Sequence, residues 1–215
     1  MNQGINVCKT VVEALSKHDI VQDVIKNISF KPSGFLVIEY GTNLPVTMGN
    51  LLPVAQTQAK PKIQFISSPN ANENNQDGFK PFSADKSNLF TLVMTDPDAP
   101  SRVDHKWSEY CHYVSTDIPL NNESGDNDLN FTTSFINEGN TLIPYMGPGP
   151  PKGTGQHRYI FMLFKQPNNV NGSSFTPIKD RPNWGYGTPA TGVAKWATEN
   201  NLELIATNFF FAENV

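Results

Sequence analysis

The chain has 215 residues, of which 38% are hydrophobic and 17% charged, and its net charge is −4. Basic residues form no block, and no apolar run approaches the roughly 18 residues of a membrane-spanning helix, so we expect neither a nucleic-acid partner nor a transmembrane segment. The 17 prolines and 15 glycines favour a loop-rich β protein over a helical bundle, and a single domain over residues 1–215 accommodates the length.

The first residues lack the basic start, apolar core and small-residue cleavage site of a signal peptide, so we expect a cytoplasmic protein. Cys8 and Cys111 lie on segments of different character, and we predict that both are reduced thiols. Asn-x-Ser/Thr triplets such as Asn171-Gly172-Ser173 are then chance matches to the glycosylation signal, which requires secretion.

Short helices are predicted near both ends of the chain. Apolar residues recur at helical spacing within residues 3–17, which predicts a short amphipathic helix. A second short helix is predicted from Asp19, as its N-cap, to about residue 25. A third is predicted at residues 191–200.

Between these helices the sequence alternates strands and loops. Strands are predicted at residues 35–40, 61–67, 89–94, 141–146, 158–165 and 202–212. Loops are predicted at residues 48–53, 68–88, 121–130 and 167–172, the longest of them an Asn-rich surface insertion. Pro144 marks the fourth strand as an edge strand or a bulge. Strands joined by loops, with helices at the periphery, indicate a mainly β, antiparallel fold.

The stretch after the third strand concentrates charge and proline. It reads Thr95-Asp96-Pro97-Asp98-Ala99-Pro100, and each proline favours extended geometry for the residue before it. In an extended chain Asp96 and Asp98 project to the same side, where two carboxylates need a cation, a donor or a shared proton to offset their repulsion. Arg102 and His112, downstream in the chain, are candidates for this cation or donor. The alternative is an Asx/Pro turn at a strand end, without a ligand.

A second stretch, residues 147–157, is rich in glycine and proline but does not match a nucleotide-binding loop. Lys152 precedes Gly153 and lacks the P-loop order, and the prolines exclude the helix that a dinucleotide fingerprint requires. The backbone N–H groups of this stiff loop remain available to an anion.

Patterns for metal binding and nucleophilic catalysis are weak. Asp96, Asp98, His112 and His157 have no recognised metal-ligand spacing, and no Gly-x-Ser-x-Gly elbow is present. Cys111 beside His112 is no dyad by adjacency, because neighbours on a strand face opposite ways. We therefore expect no metal, no cofactor and no catalytic residue.

In combination, the two stretches carry a resemblance. The run from Thr95 to Arg102, the pattern Trp107-x-x-Tyr110-x-His112 and the segment from Gly147 to Tyr159 follow one another in the chain. In this order they resemble the signatures of the phosphatidylethanolamine-binding protein family, which includes the Raf kinase inhibitor proteins. Residues 104–109 and 181–192 are similar to the fungal branch of that family, and the resemblance extends over most of the chain.

The resemblance implies a fold of two antiparallel sheets with short peripheral helices, and a small, rigid, anion-accepting pocket. Carried over by position, the pocket residues are Asp96, Asp98, Trp107, Tyr110, His112, Gly149, Pro151, His157 and Tyr159. Trp107 and Tyr110 exchange the aromatic types usual in animal members, which moves a hydroxyl group. A protonated His112, or one proton shared within the Asp/His cluster, would supply a donor to the anion.

Strand geometry conflicts with this pocket at one point. Trp107 and Tyr110 are three residues apart, so a regular strand cannot direct both into one cavity. We therefore predict a bulge or an unusual peptide near Ser108-Glu109, where the family carries a cis bond. By the same resemblance we expect the Asp96-Pro97 bond to be cis.

The fungal branch implies a non-enzymatic inhibitor of a serine carboxypeptidase of the carboxypeptidase Y type. The alternative is a phospholipid- or phospho-ligand-binding signalling modulator of a kinase or Ras pathway, and a hydrolase is a weaker third possibility. The expected partners are the carboxypeptidase, a phospholipid headgroup or phosphate-like anion and, in the alternative, a signalling protein. We expect the free chain to be a monomer that reaches a vacuolar enzyme by an unconventional route.

The N-terminus is a candidate protease contact, because a carboxypeptidase active site is a blind pocket for a chain end. A free C-terminal carboxylate in productive register is cleaved as a substrate, so we hypothesise that Met1, Asn2 and Gln3 engage the protease. Acetylation of Met1 would let it enter an apolar subsite without the desolvation cost of an ammonium group. The alternative is that these residues are frayed, as most termini are.

Overall fold

The structure is a computed structural model, and it describes residues 7–67, 78–80, 82, 87–119, 132–135 and 139–215. Within these residues the chain forms three layers: a four-stranded sheet, a six-stranded sheet, and short helices on the outer face of the larger sheet. The predicted class, a mainly β protein of two sheets with peripheral helices, is confirmed.

The strands, in chain order, are β1 Gly34–Tyr40, β2 Leu44–Pro45, β3 Asn50–Leu51, β4 Lys62–Ser67, β5 Leu89–Asp96, β6 Tyr110–Pro119, β7 Thr132–Phe135, β8 Asn140–Ile143, β9 His157–Lys165 and β10 Glu203–Ala212. The smaller sheet has the order β2–β1–β4–β7, and the larger has the order β3–β10–β9–β5–β6–β8. Every pairing between the described strands is antiparallel except the two-residue pairing of β3 with β10.

The larger sheet is buried on both faces, which explains its apolar central strands. In β9, Tyr159, Phe161 and Leu163 belong to the core between the two sheets. The alternate residues Ile160 and Met162 pack in the core beneath the helices. A strand alternates its side chains between two faces, so a strand with two buried faces is apolar at nearly every position.

The helices agree with the sequence prediction in part. Helix α1 covers Val7–Lys17 and helix α2 covers Val193–Glu199, as expected. The second predicted helix is a π-helical turn at Val21–Ile25. Asp19 does not cap it, because this residue has a φ of 59° and its carboxylate binds Arg102 instead. The 3₁₀ turns cover Val54–Gln56, Gly172–Ser174 and Pro182–Gly185.

Several elements differ from the sequence prediction. The predicted loop 48–53 contains β3, because main-chain pairing with β10 forms this two-residue strand without a side-chain pattern. The strand predicted at 141–146 is β8, which ends before Pro144. The predicted strands did not include β2, β6 or β7. Most of the predicted insertion 68–88 and all of the predicted loop 121–130 lie outside the described residues.

Two further expectations concern thiols and membranes. Cys8 on α1 and Cys111 on β6 are both buried thiols, in agreement with the sequence prediction. In the described part of the chain, no helix is long and apolar enough to cross a membrane.

Candidate functional site

A cavity opens where β5 ends and its neighbours β6 and β9 begin. Its volume is about 200 Å³, below the roughly 300–1,000 Å³ of pockets for drug-sized ligands, so it fits a headgroup-sized molecule. The lining residues are Asp96, Ala99, Pro100, Trp107, Tyr110, His112, Met146, Gly147, Gly149, Pro151, His157 and Tyr159. Eight of the nine residues that the family resemblance assigns to a pocket are in this lining, and the exception is Asp98.

Asp96 closes a turn at the end of β5. Its Oδ1 accepts a hydrogen bond from the Asp98 N–H at 2.7 Å, and this bond forms an Asx turn. Pro97 lies between the two residues, where the fixed φ of proline fits the turn. The prediction of a cis Asp96–Pro97 bond is wrong, because the cis proline of this loop is Pro100, after Ala99. Ala99 and Pro100 also line the cavity, and the sequence analysis missed them although they belong to the run that carries the resemblance.

Trp107 and Tyr110 both reach the cavity because the chain between them is irregular. The Ser108–Glu109 bond is cis, and the prediction of an unusual peptide here is confirmed. Asn183 binds the main chain on both sides of the Trp107–Ser108 bond. Its main-chain N–H donates to the Trp107 carbonyl at 3.0 Å, and its side-chain amide donates to the Ser108 carbonyl at 2.7 Å. The indole of Trp107 remains 43% exposed at the mouth of the cavity.

Asp96 and His157 form the charged pair of the cavity. His157 Nδ1 lies 2.9 Å from Asp96 Oδ2, and because a carboxylate only accepts, Nδ1 carries a proton. Thr154 Oγ1 donates to the Pro151 carbonyl at 2.7 Å and also lies 3.0 Å from His157 Nε2. The His157 ring is thus held on one side by Asp96 and on the other by Thr154.

His112 plays a different part from the one expected. Its Nδ1 donates to the Met146 carbonyl at 2.8 Å, which leaves Nε2 as the nitrogen for the cavity. Burial lowers the pKa of His112, an effect that the nearby Asp96 opposes, so the ring is neutral around neutral pH. The expected protonated His112 is therefore disfavoured.

Tyr159, in the cavity lining, carries a hydroxyl group without a hydrogen-bond partner among the described residues. The residue is fully buried, and its hydroxyl has no hydrogen-bond partner in the described part of the chain. Burial raises the pKa of Tyr159, and the charge of Asp96 adds to the rise, so the hydroxyl keeps its proton. The Gly149 N–H near this oxygen is itself a donor and leaves the hydroxyl proton without an acceptor.

Asp98 lies behind the cavity wall, which corrects its predicted place in the pocket. Its carboxylate is fully buried against Arg158, with Oδ1 2.7 Å from Nη2 and Oδ2 2.9 Å from Nε. The main-chain N–H of Arg158 donates to the same carboxylate at 2.8 Å. The Asx turn replaces the extended chain that would have aligned Asp98 with Asp96, so the two carboxylates diverge. The sequence analysis missed Arg158 as the partner.

The glycine- and proline-rich stretch forms the facing wall and needs glycine at one point. A Cβ on Gly147 would lie 2.7 Å from the Cα of Gln58, a distance that real side chains do not adopt. The amide of Gln58 in turn donates to the Pro148 carbonyl at 2.8 Å. This close approach fixes the wall to the body. Met146 and Gly147 line the cavity and were also missed, although they adjoin the segment that carries the resemblance.

The lining contains aromatic, carboxylate and imidazole side chains and no Ser, Thr, Cys or Lys. Cys111 packs in the core beneath the helices, away from the cavity, and burial raises the pKa of its thiol. Within the described residues, no group of three or more His, Cys, Asp or Glu is placed to hold a metal.

Two sheets backed by helices, with an Asp/His cavity at the ends of inner strands under a Gly/Pro-rich wall, define a class of two-sheet β proteins with a small cavity at the strand ends. The family model of the phosphatidylethanolamine-binding protein matches residues 37–210, and the chain belongs to this family. The resemblance drawn from the sequence motifs is thereby confirmed.

Relatives refine this assignment. The carboxypeptidase Y inhibitor of Saccharomyces cerevisiae is 52% identical over 225 aligned positions, which cover 99% of this chain and 99% of the relative. An uncharacterized protein of the same yeast is 41% identical and covers 95% of this chain and 94% of its own length. The crystal structure of carboxypeptidase Y inhibitor complexed with the cognate proteinase matches with a TM-score of 0.87, at 52% identity and with 100% of both chains covered. These relatives agree with the predicted fungal branch.

Proposed function

We propose that this protein is a non-enzymatic inhibitor of a serine carboxypeptidase of the carboxypeptidase Y type. The observation that carries the proposal is its full-length likeness to a carboxypeptidase Y inhibitor that was solved with its proteinase, at 52% identity and a TM-score of 0.87. That relative is an inhibitor and not an enzyme.

Titration of purified yeast carboxypeptidase Y with the protein tests this proposal. Residual hydrolysis of a blocked dipeptide should fall linearly and end near one equivalent of added protein, because a tight inhibitor binds stoichiometrically. Mass spectrometry of the incubated mixture should then recover the inhibitor intact, as expected for a protein that is bound and not processed. Full carboxypeptidase activity at micromolar concentrations of the protein would contradict the proposal.

The protease contact is proposed for Met1, Asn2 and Gln3, which lie outside the described residues. The support is the anchoring of α1, whose buried residues Val11 and Leu15 pack into the core beneath the helices. Three preparations test the contact: acetylated protein, unacetylated protein, and protein with two residues added before Met1. Only the first should inhibit strongly, and equal inhibition by all three would move the contact to another surface.

The cavity supports a second proposed activity, the binding of a phosphate-like anion or a phospholipid headgroup, which a signalling modulator would also use. The observation in its favour is the Tyr159 hydroxyl, a buried donor without an acceptor, beside the Asp96–His157 pair. Oxygens of an anion would accept from Tyr159 and from the backbone of the facing wall. Calorimetric titration with inorganic phosphate and with phosphoethanolamine tests this activity separately from inhibition, and no heat of binding with either ligand would exclude it.

A further inference from the structure

Arg158 joins the loop behind the cavity to the N-terminal helical segment, which comprises α1 and the π-helical turn (residues 7–25). The Nε and Nη2 side of its guanidinium is occupied by Asp98. The remaining nitrogen, Nη1, donates to the His18 carbonyl at 2.8 Å and lies 2.9 Å from Asp23 Oδ2. One buried cation therefore bonds to the pocket loop and to the helical segment at once.

The contacts of Arg158 with the helical segment satisfy polar groups just beyond the C-terminal end of helix α1. Helix α1 ends at Lys17, and the chain leaves the helical path at Asp19, whose φ is 59°. The His18 carbonyl beyond this end accepts from Arg158, and a positive charge is favourable at the carbonyl end of a helix. The segment has a second arginine contact from the pocket loop, since Arg102 binds Asp19 at 2.7 Å.

The two carboxylates that Arg158 binds differ in burial. Asp98 is fully buried and offsets a buried cation, so it is needed for folding. The side chain of Asp23 is 40% exposed, and a half-exposed ion pair adds little to stability. Its contact with Arg158 does, however, restrict the direction of the helical segment relative to the sheet.

We propose that Arg158 is a positioning residue for carboxypeptidase inhibition, because it fixes the N-terminal helical segment to the body in one orientation. The inference rests on the proposed function. It deepens that function, since the proposed protease contact, Met1 to Gln3, is joined to the rest of the chain through this segment. A segment that is already fixed loses less freedom when the complex forms, and this raises affinity.

The test compares three variants of the helical segment in the full chain. Asp23→Asn removes the carboxylate that Arg158 binds, Asp23→Glu restores it, and Glu13→Gln removes another acid of the same segment, which pairs with Lys9 at the exposed surface. We expect Asp23→Asn to weaken inhibition of carboxypeptidase Y by roughly two- to tenfold, because the side chains that it frees must be ordered again when the complex forms. Asp23→Glu should regain most of it, and Glu13→Gln should inhibit like the wild type.

Further readouts separate placement from general stability. All three variants should keep the wild-type far-UV spectrum and melting temperature, while the amides of residues 18–25 should exchange faster in Asp23→Asn alone.

The outcomes distinguish this inference from the proposed function. Wild-type inhibition by Asp23→Asn, or equal losses in Asp23→Asn and Glu13→Gln, would overturn the positioning role and leave the inhibitor assignment in place. A wild-type protein that does not inhibit carboxypeptidase Y would end both proposals.

Discussion

Replacing Glu109 with glutamine tests whether one buried carboxyl group sets the pH dependence of stability. Glu109 is fully buried; its Oε2 accepts from the Thr95 hydroxyl at 3.1 Å and from the Val193 N–H at 3.3 Å. Its Oε1 has no hydrogen-bond partner among the described residues. Burial raises the pKa of Glu109 from its ordinary 4.5 to about 7, although the charge of Lys26 opposes the rise.

The sign and size of the effect follow from linkage. The folded state holds the Glu109 proton more tightly than the unfolded state, so stability from this group is fully present below pH 4.5 and is lost as the pH rises through about 7. The rise in pKa corresponds to a loss of roughly 3 kcal/mol in the free energy of unfolding. Glutamine keeps an acceptor for Thr95 and Val193, resembles the protonated acid and does not titrate.

Urea unfolding of wild type and Glu109→Gln, followed by far-UV circular dichroism from about pH 4 to about pH 8, measures this loss. The two proteins should be equally stable at the acid end, and the variant should become more stable by roughly 3 kcal/mol at the alkaline end. Glu13→Gln is the control, because its carboxylate is exposed and its difference from wild type should stay below about 1 kcal/mol at every pH. A pH-independent difference for Glu109→Gln, or a less stable variant at the alkaline end, would refute the reasoning.

Three other outcomes are expected. Asp98→Ala should lower the free energy of unfolding by roughly 3–5 kcal/mol in urea titrations, because it leaves Arg158 buried without its main counter-charge; a loss below about 1 kcal/mol would contradict this pairing. Tyr159→Phe should weaken phosphate binding by about tenfold in calorimetry without loss of stability. The control Tyr113→Phe, which changes a core residue outside the cavity lining, should bind phosphate like the wild type. Equal phosphate affinities of Tyr159→Phe and wild type would show that the Tyr159 hydroxyl makes no ligand contact. Trp107→Phe should abolish most acrylamide quenching of fluorescence, because the other two tryptophans are buried, and persistent quenching would place another tryptophan at the surface.

The residues of the candidate site were largely predictable because most of them lie in the short runs that carry the family resemblance. Asp96 ends β5, and His157 begins β9, so pairing of these strands within one sheet brings the two residues together. The irregular peptide between Trp107 and Tyr110 was also predictable, since a side-chain period of two cannot direct both into one cavity. Where the argument needed only local periodicity and chain order, the sequence was sufficient.

By itself the sequence determined the class of fold and the strands β5, β9 and β10, because apolar periodicity and turn residues act over a few neighbours, and its motifs located the cavity residues through the family resemblance. Only the tertiary structure decided what depends on distant partners. Asp98 turns away from Asp96 because Arg158, sixty positions later, binds its carboxylate. β3 exists because main-chain groups of β10 pair with it, and such pairing leaves no mark on the side chains. The unpaired hydroxyl of Tyr159 depends in the same way on the folded chain, since a hydrogen bond that is missing can be recognised only once every neighbour is in place.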